Sequence, residues 1–244
     1  MKPVFNLEPK YQVTMLTRKE WTRGPRPPPM VKGLVWYTDG SRTAEGTRAG
    51  VYGQSVNRRL SIPLDKHATV FQAEVYAILD CVEETATQDC PEKYVSICSD
   101  SQVALKALQA AKTTSPLVRQ GQQALDDISA WYAVGLYWVP GHAGVRGNEI
   151  ANKLARNGSA QRFIGSEPFL GVSGQNIRRK LNRWMGKQHL ALWCGTCNMQ
   201  RQAQELISGP DPSTGASLLS LIGLKPRLLL AYLWDITPWG DIYV

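Results

Sequence analysis

Cysteine is scarce in this chain, long apolar runs are missing, and no internal repeat appears. Five cysteines in 244 residues, an odd number without a disulfide-rich spacing, exclude a scaffold stapled by bridges and point to a reducing, intracellular setting. The most apolar stretch, Leu218 to Trp234, is cut by Lys225-Pro226-Arg227 and is too short and interrupted to span a bilayer. The opening Met1-Lys2-Pro3-Val4-Phe5 carries no apolar run of the secretory kind. What is present is globular in character, 43% hydrophobic and 20% charged, with length for one to two domains.

The net charge of +8 is unevenly spread. Residues 1–32 hold seven Lys/Arg against two Asp/Glu, residues 33–160 twelve against thirteen, and residues 161–244 nine against five. A slightly acidic middle is flanked by basic ends. Affinity for a polyanion would have to come from those flanks; the alternative is that they only solubilise the chain.

Residues 1–30 show little periodicity and end in Arg23-Gly24-Pro25-Arg26-Pro27-Pro28-Pro29, which reads as a Pro-rich basic linker. Val31 to Thr38 is a β-forming run stopped by the turn signal Asp39-Gly40-Ser41. Ala49 to Val56 and Arg58 to Leu64, joined tightly near Asn57, complete a three-stranded antiparallel meander. Thr69 to Thr85 places Phe71, Val75, Ile78, Leu79 and Val82 on one helical face. A strand over Tyr94 to Cys98 follows, then helices over Ser101 to Ala111 and Leu117 to Ile128. A strand over Ala133 to Val139 and a helix over Arg146 to Asn157 close the pattern, with Asn157-Gly158 as the stop. The expectation is a mixed five-stranded α/β sheet, the meander plus two parallel strands, with helices on its faces over residues 31–160. Residues 161–244 form a basic, mostly helical tail, with helical stretches at Asn176 to Trp193 and Leu218 to Leu233.

Three acids stand in framed positions: Asp39 in Thr38-Asp39-Gly40-Ser41, Glu74 in Gln72-Ala73-Glu74, and Asp100 in Ser99-Asp100-Ser101-Gln102. Downstream come Gly141-His142-Ala143-Gly144 and Gly147-Asn148-Glu149-Ile150-Ala151-Asn152. Taken singly, each has an ordinary explanation. Asp39 suits a turn, Glu74 a solvated helix face, and Asp100 a helix N-cap. The signal lies in their order and framing together.

That order resembles the type 1 ribonuclease H family, which cuts the RNA strand of RNA–DNA hybrids with two metal ions. The resemblance implies the ribonuclease H-like fold and two Mg²⁺, with Mn²⁺ as a substitute. It also implies Asp39, Glu74 and Asp100 as catalytic metal ligands, and His142 as a mobile-loop residue that assists turnover. Carboxylates suit a hard cation that prefers oxygen. Ser41, Gln72 and Gln102 flank the acids and can contact phosphates or 2′-hydroxyls, the group that tells RNA from DNA. The fourth position of the family's acidic set is Asn152 here, which can ligate through its amide oxygen but brings no charge. A weakened second metal and reduced cleavage are expected.

Thr69 to Leu79, Ile97 to Gln102 and Trp138-Val139-Pro140-Gly141-His142 are similar to the ribonuclease H domain that ends insect non-LTR retrotransposon polyproteins of the Jockey-like kind. In that family a reverse transcriptase domain precedes it, and the parent reverse transcriptase is the partner implied beside the hybrid. The family's Cys/His-rich end would come after Val244, so the tail is expected to be truncated. Two alternatives stay open: a catalytically inactive module that binds nucleic acid or a partner protein, and an integrase or transposase core. The Gly-His and Gly-Asn-Glu elements argue against the latter. Cys194-Gly195-Thr196-Cys197 with His189 offers at most three zinc ligands, and no second pair follows.

Overall fold

The structure is a computed structural model that describes residues 3–22, 27–44, 46–65, 67–88, 91–157, 168 and 170–195. In chain order its elements are β1 (Val4–Phe5), β2 (Gln12–Thr14), α1 (Arg18–Thr22), β3 (Leu34–Thr43), β4 (Gly46–Gly53), β5 (Arg58–Leu64) and α2 (Val70–Ala86). They continue with β6 (Tyr94–Ser99), α3 (Gln102–Gln109), β7 (Lys112–Thr113), α4 (Pro116–Ile128), β8 (Ala133–Trp138), α5 (Arg146–Asn157) and α6 (Gly174–Gly195). The chain divides into two compact units, 1–173 and 174–244, and α6 is the described part of the second. It covers the 176–193 stretch expected to be helical. Leu218 to Leu233 lies outside the described residues.

One sheet of six strands in the order β2-β8-β6-β3-β4-β5 organises the first unit. The meander is antiparallel, Tyr37 facing Tyr52 and Val51 facing Leu60. Its reversal between β4 and β5 uses Asn57 at φ 48°, a left-handed position that Asn tolerates better than most residues. β6 lies parallel to β3, and β8 parallel to β6. Side chains alternate along β3. Leu34 and Trp36 join the core that contains Ala73, Val75 and Ile78 of α2, while Tyr37 joins the core that contains Ala151 and Leu154 of α5. The two helices therefore cover opposite faces.

Three expectations are corrected. The sheet has six strands, not five, because β2 pairs in parallel with β8, Val13 opposite Leu136. That pairing lies in the segment read as a linker. There Trp21 of α1 is buried and its indole N–H donates to the Trp138 carbonyl at 2.8 Å. A three-residue strand has no periodicity to reveal it, and its partner is distant in the chain. Finally, β3 does not stop at Asp39-Gly40-Ser41. The ladder runs on through Asp39 opposite Gly50 and Ser41 opposite Arg48, so Asp39 is mid-strand.

Candidate metal centre

Helix α2 begins with a capping box. Thr69 Oγ1 accepts from the Gln72 N–H at 3.1 Å, and Gln72 Oε1 accepts from the Thr69 N–H at 3.0 Å. This fixes the helix start and places Glu74 in its second turn, 5% exposed against β3. Alternation puts Asp39 with Tyr37 on the α5 side of the sheet, whereas Glu74 comes from the α2 side. They meet at Gly40, where a Cβ would lie 2.7 Å from the Glu74 nitrogen. The bare Gly40 backbone lets Glu74 reach past the strand, and its N–H serves both carboxylates.

Asp100 arrives from the neighbouring strand. Thr38 is level with Ser99 in the parallel β3–β6 pairing, so Asp39 and Asp100 follow side by side. The cap of α3 is Ser101, whose hydroxyl accepts from the Ala104 N–H, and this leaves the Asp100 carboxylate free for the site. Trp138 Nε1 donates to the Asp100 carbonyl at 3.0 Å, and Asn148 Nδ2 donates to Asp100 Oδ2 at 3.3 Å. Gly141 passes so near that a Cβ would stand 3.0 Å from the same oxygen.

Asp39, Glu74 and Asp100 thus bring one ligand oxygen each to within 4.8 Å of one another. Burial first, then the Asp100 charge, raises Asp39 to about 7, against the lowering field of Arg156 and the Gly40 N–H. Glu74 is raised well above the usual range by burial and by both aspartates. Asp100 is raised by burial, with Asn148 and His142 opposing. Three carboxylates in one partly dry site repel one another when ionised, and a cation relieves that repulsion. Glu74 Oε2 is buried with no hydrogen-bond partner among the described residues, an acceptor left over for an ion. The set is all oxygen, suited to a hard divalent cation.

The other expected site residues are distributed around this centre. His142 is exposed and holds φ 50°, and it opposes the upward shift of Asp100. Asn152 is half-buried on α5, next to Ala151, whose carbonyl packs against Gly50, the cross-strand partner of Asp39. Ser41 is half-buried on β3, and Gln102 is exposed at the start of α3. Gln72 differs from its expected place at a nucleic-acid surface. It is 7% exposed, and beyond the capping box its Nε2 donates to the Leu170 and Gly171 carbonyls. Sequence reasoning missed Gly40, Asn148 and Arg156. Asn148 stood inside the Gly-Asn-Glu motif, and Arg156 lies one helical turn beyond Asn152.

A mixed α/β sheet that gathers three carboxylates from two adjacent parallel strands and a covering helix defines an α/β domain whose acids could hold a divalent cation. The family model described as RNase H matches residues 31–160. The chain belongs to the RNase H family.

Proposed function

We propose that this protein is a metal-dependent endonuclease that hydrolyses the RNA strand of RNA–DNA hybrids, with residues 31–160 as its catalytic unit. The observation that carries this is the convergence of Asp39, Glu74 and Asp100, with an unpartnered buried oxygen on Glu74. Two Mg²⁺, or Mn²⁺ in their place, would supply an activated water and charge stabilisation at the phosphate. Asp39, Glu74 and Asp100 would hold the cations, and Asn152 would contribute an amide oxygen where a fourth charge would help. Asn148 orients Asp100 through its 3.3 Å hydrogen bond. His142, on a loop with Gly141 and Gly144, can swing to the departing oxygen and carry a proton. Ser41 and Gln102 would contact the strands, whereas Gln72 serves the helix cap.

The resemblance to Jockey-like polyproteins supports descent from a retrotransposon, with a reverse transcriptase domain as the natural partner. An adjoining reverse transcriptase coding region would bear this out, and its absence from every genomic copy would count against it. Buried free thiols at Cys81 and Cys98 suit a reducing compartment. Among the described residues no helix is long and apolar enough to cross a membrane.

A second reading, an inactive module that binds nucleic acid, is favoured by Asn152 alone. Cleavage of a labelled hybrid in Mg²⁺ and in Mn²⁺ decides between them. Cutting that Glu74→Gln abolishes supports the nuclease. Hybrid binding without cutting in either metal supports the module.

A further inference from the structure

We infer that α6 is a nucleic-acid backbone clamp, in which Arg179, Lys180, Arg183 and Lys187 form a phosphate-binding face. The inference rests on the nuclease reading for the identity of the polyanion.

α6 contains five Lys/Arg and no Asp or Glu over its 22 residues. Exposed helices ordinarily intersperse charges, because opposite signs one turn apart support the helix and like signs repel. Here Arg179, Arg183 and Lys187 follow one another at four-residue steps, all exposed, with Lys180 beside them. Of these four, Arg179 donates from Nη2 to Asn176 Oδ1 at 2.8 Å. A polyanion is the natural complement to such a ridge.

Several cations elsewhere have partners. Lys32 Nζ sits 3.7 Å from the centre of the Tyr94 ring, Lys112 lies over Phe5, and Arg58 pairs with Glu84 at 3.0 Å. The link between α3 and α4 is short, residues 110–115, and carries the single cation Lys112. The metal centre itself is acidic and repels phosphate until cations arrive. Attraction for the hybrid needs a source outside it, and α6 has the densest unopposed positive charge among the described helices.

Basic helices with an apolar side also settle on anionic membranes, and Ile177, Leu181, Trp184 and Met185 are exposed on α6. Two features favour nucleic acid. At about 100° per residue, Lys180, Arg183 and Lys187 fall within an arc of about 60°, but Leu190 lies within about 20° of Arg183 and Arg178 within about 20° of Met185, so charge and apolar surface are not segregated as an interfacial helix requires. The same chain also carries a domain whose family acts on phosphodiesters.

The test uses the full chain with Lys180→Gln, Arg183→Gln and Lys187→Gln together, which spares the Arg179–Asn176 bond. Binding of a short labelled RNA–DNA hybrid is followed by fluorescence anisotropy in EDTA across a range of KCl, so that cleavage plays no part. The expected result is at least about a tenfold loss of affinity at low salt, with the slope of log K against log salt reduced by about 2–3. Unchanged affinity and slope overturn the proposal. So does loss of binding to phosphatidylserine vesicles with hybrid binding intact, which assigns α6 to a membrane surface. If circular dichroism shows that the triple variant has lost helix, the three single variants carry the test, each expected to reduce the slope by about one. The parent's cleavage of hybrid in Mn²⁺ is scored separately. Binding through α6 without cleavage rejects the nuclease and keeps the clamp, and cleavage with binding indifferent to α6 does the reverse.

Discussion

Gly40 and Glu74 are in such close approach that a Cβ on the glycine would stand 2.7 Å from the Glu74 nitrogen and 2.9 Å from its Cγ. Strand and helix meet there backbone to backbone, and the meeting is what lets Glu74 join Asp39 across the sheet. Gly40→Ala forces α2 away from β3. The expected cost is about 1–3 kcal/mol of stability, in the range of overpacked interiors, with loss of metal-induced stabilisation. Thermal melts with and without Mn²⁺ check both, and a variant that keeps the Mn²⁺ shift would show that the contact can relax.

Mn²⁺ is expected to raise the melting temperature of the parent at pH 8, where the three carboxylates are most costly in the absence of an ion. A ligand at a hundred times its dissociation constant stabilises by about 2.7 kcal/mol. Glu74→Gln and Asp100→Asn should each remove most of that shift while melting no lower than the parent in EDTA, since each relieves repulsion. An equal shift in all three proteins would place the ion elsewhere.

Asn152→Asp should increase Mg²⁺-dependent hybrid cleavage by at least about tenfold, equivalent to about 1.4 kcal/mol off the barrier. The added charge would strengthen the proposed second metal position. Single-turnover rates at saturating hybrid separate this from any change in binding, and equal rates would mean that Asn152 already suffices.

Asp80 offers a test of pH dependence away from the metal centre. Burial, then Glu84 and Glu83, raise it from 3.8 to about 7 against the lowering field of Arg58, and its Oδ2 has no hydrogen-bond partner among the described residues. A carboxyl raised in the fold keeps its proton where the unfolded chain has already released it. The parent therefore loses stability as pH climbs from about 4 to about 7, and the loss stays in place above that. Asp80→Asn should be more stable than the parent by about 1–3 kcal/mol at pH 8, with the difference shrinking toward pH 4. Urea unfolding at the two pH values measures it.

Much of this was legible in the residues. The three-stranded meander, the α2 face of Val75, Ile78, Leu79 and Val82, and the order of the three acids follow from local patterns, and the structure keeps them. What was not legible depends on partners distant in the chain. Asp-Gly-Ser is an honest turn signal, but the β4 ladder and the close passage of α2 keep the strand going through it. Gln72 beside Glu74 looks like a substrate contact until the cap and the Leu170 and Gly171 carbonyls claim its amide. Asn148 reads as framing, and only the fold aims it at Asp100.

The short parallel strand β2 has a practical consequence for anyone trimming this protein. It covers the outer side of β8, whose Val134, Leu136 and Trp138 are apolar. Cutting the chain at Val31, where the family match begins, would strip that cover and unseat Trp21 from the Trp138 carbonyl. The N–H and C=O groups of β8 that β2 now engages would then face solvent, ready to recruit another copy edge to edge. Precipitation or spurious dimers of such a fragment would report on the missing strand rather than on the RNase H domain itself.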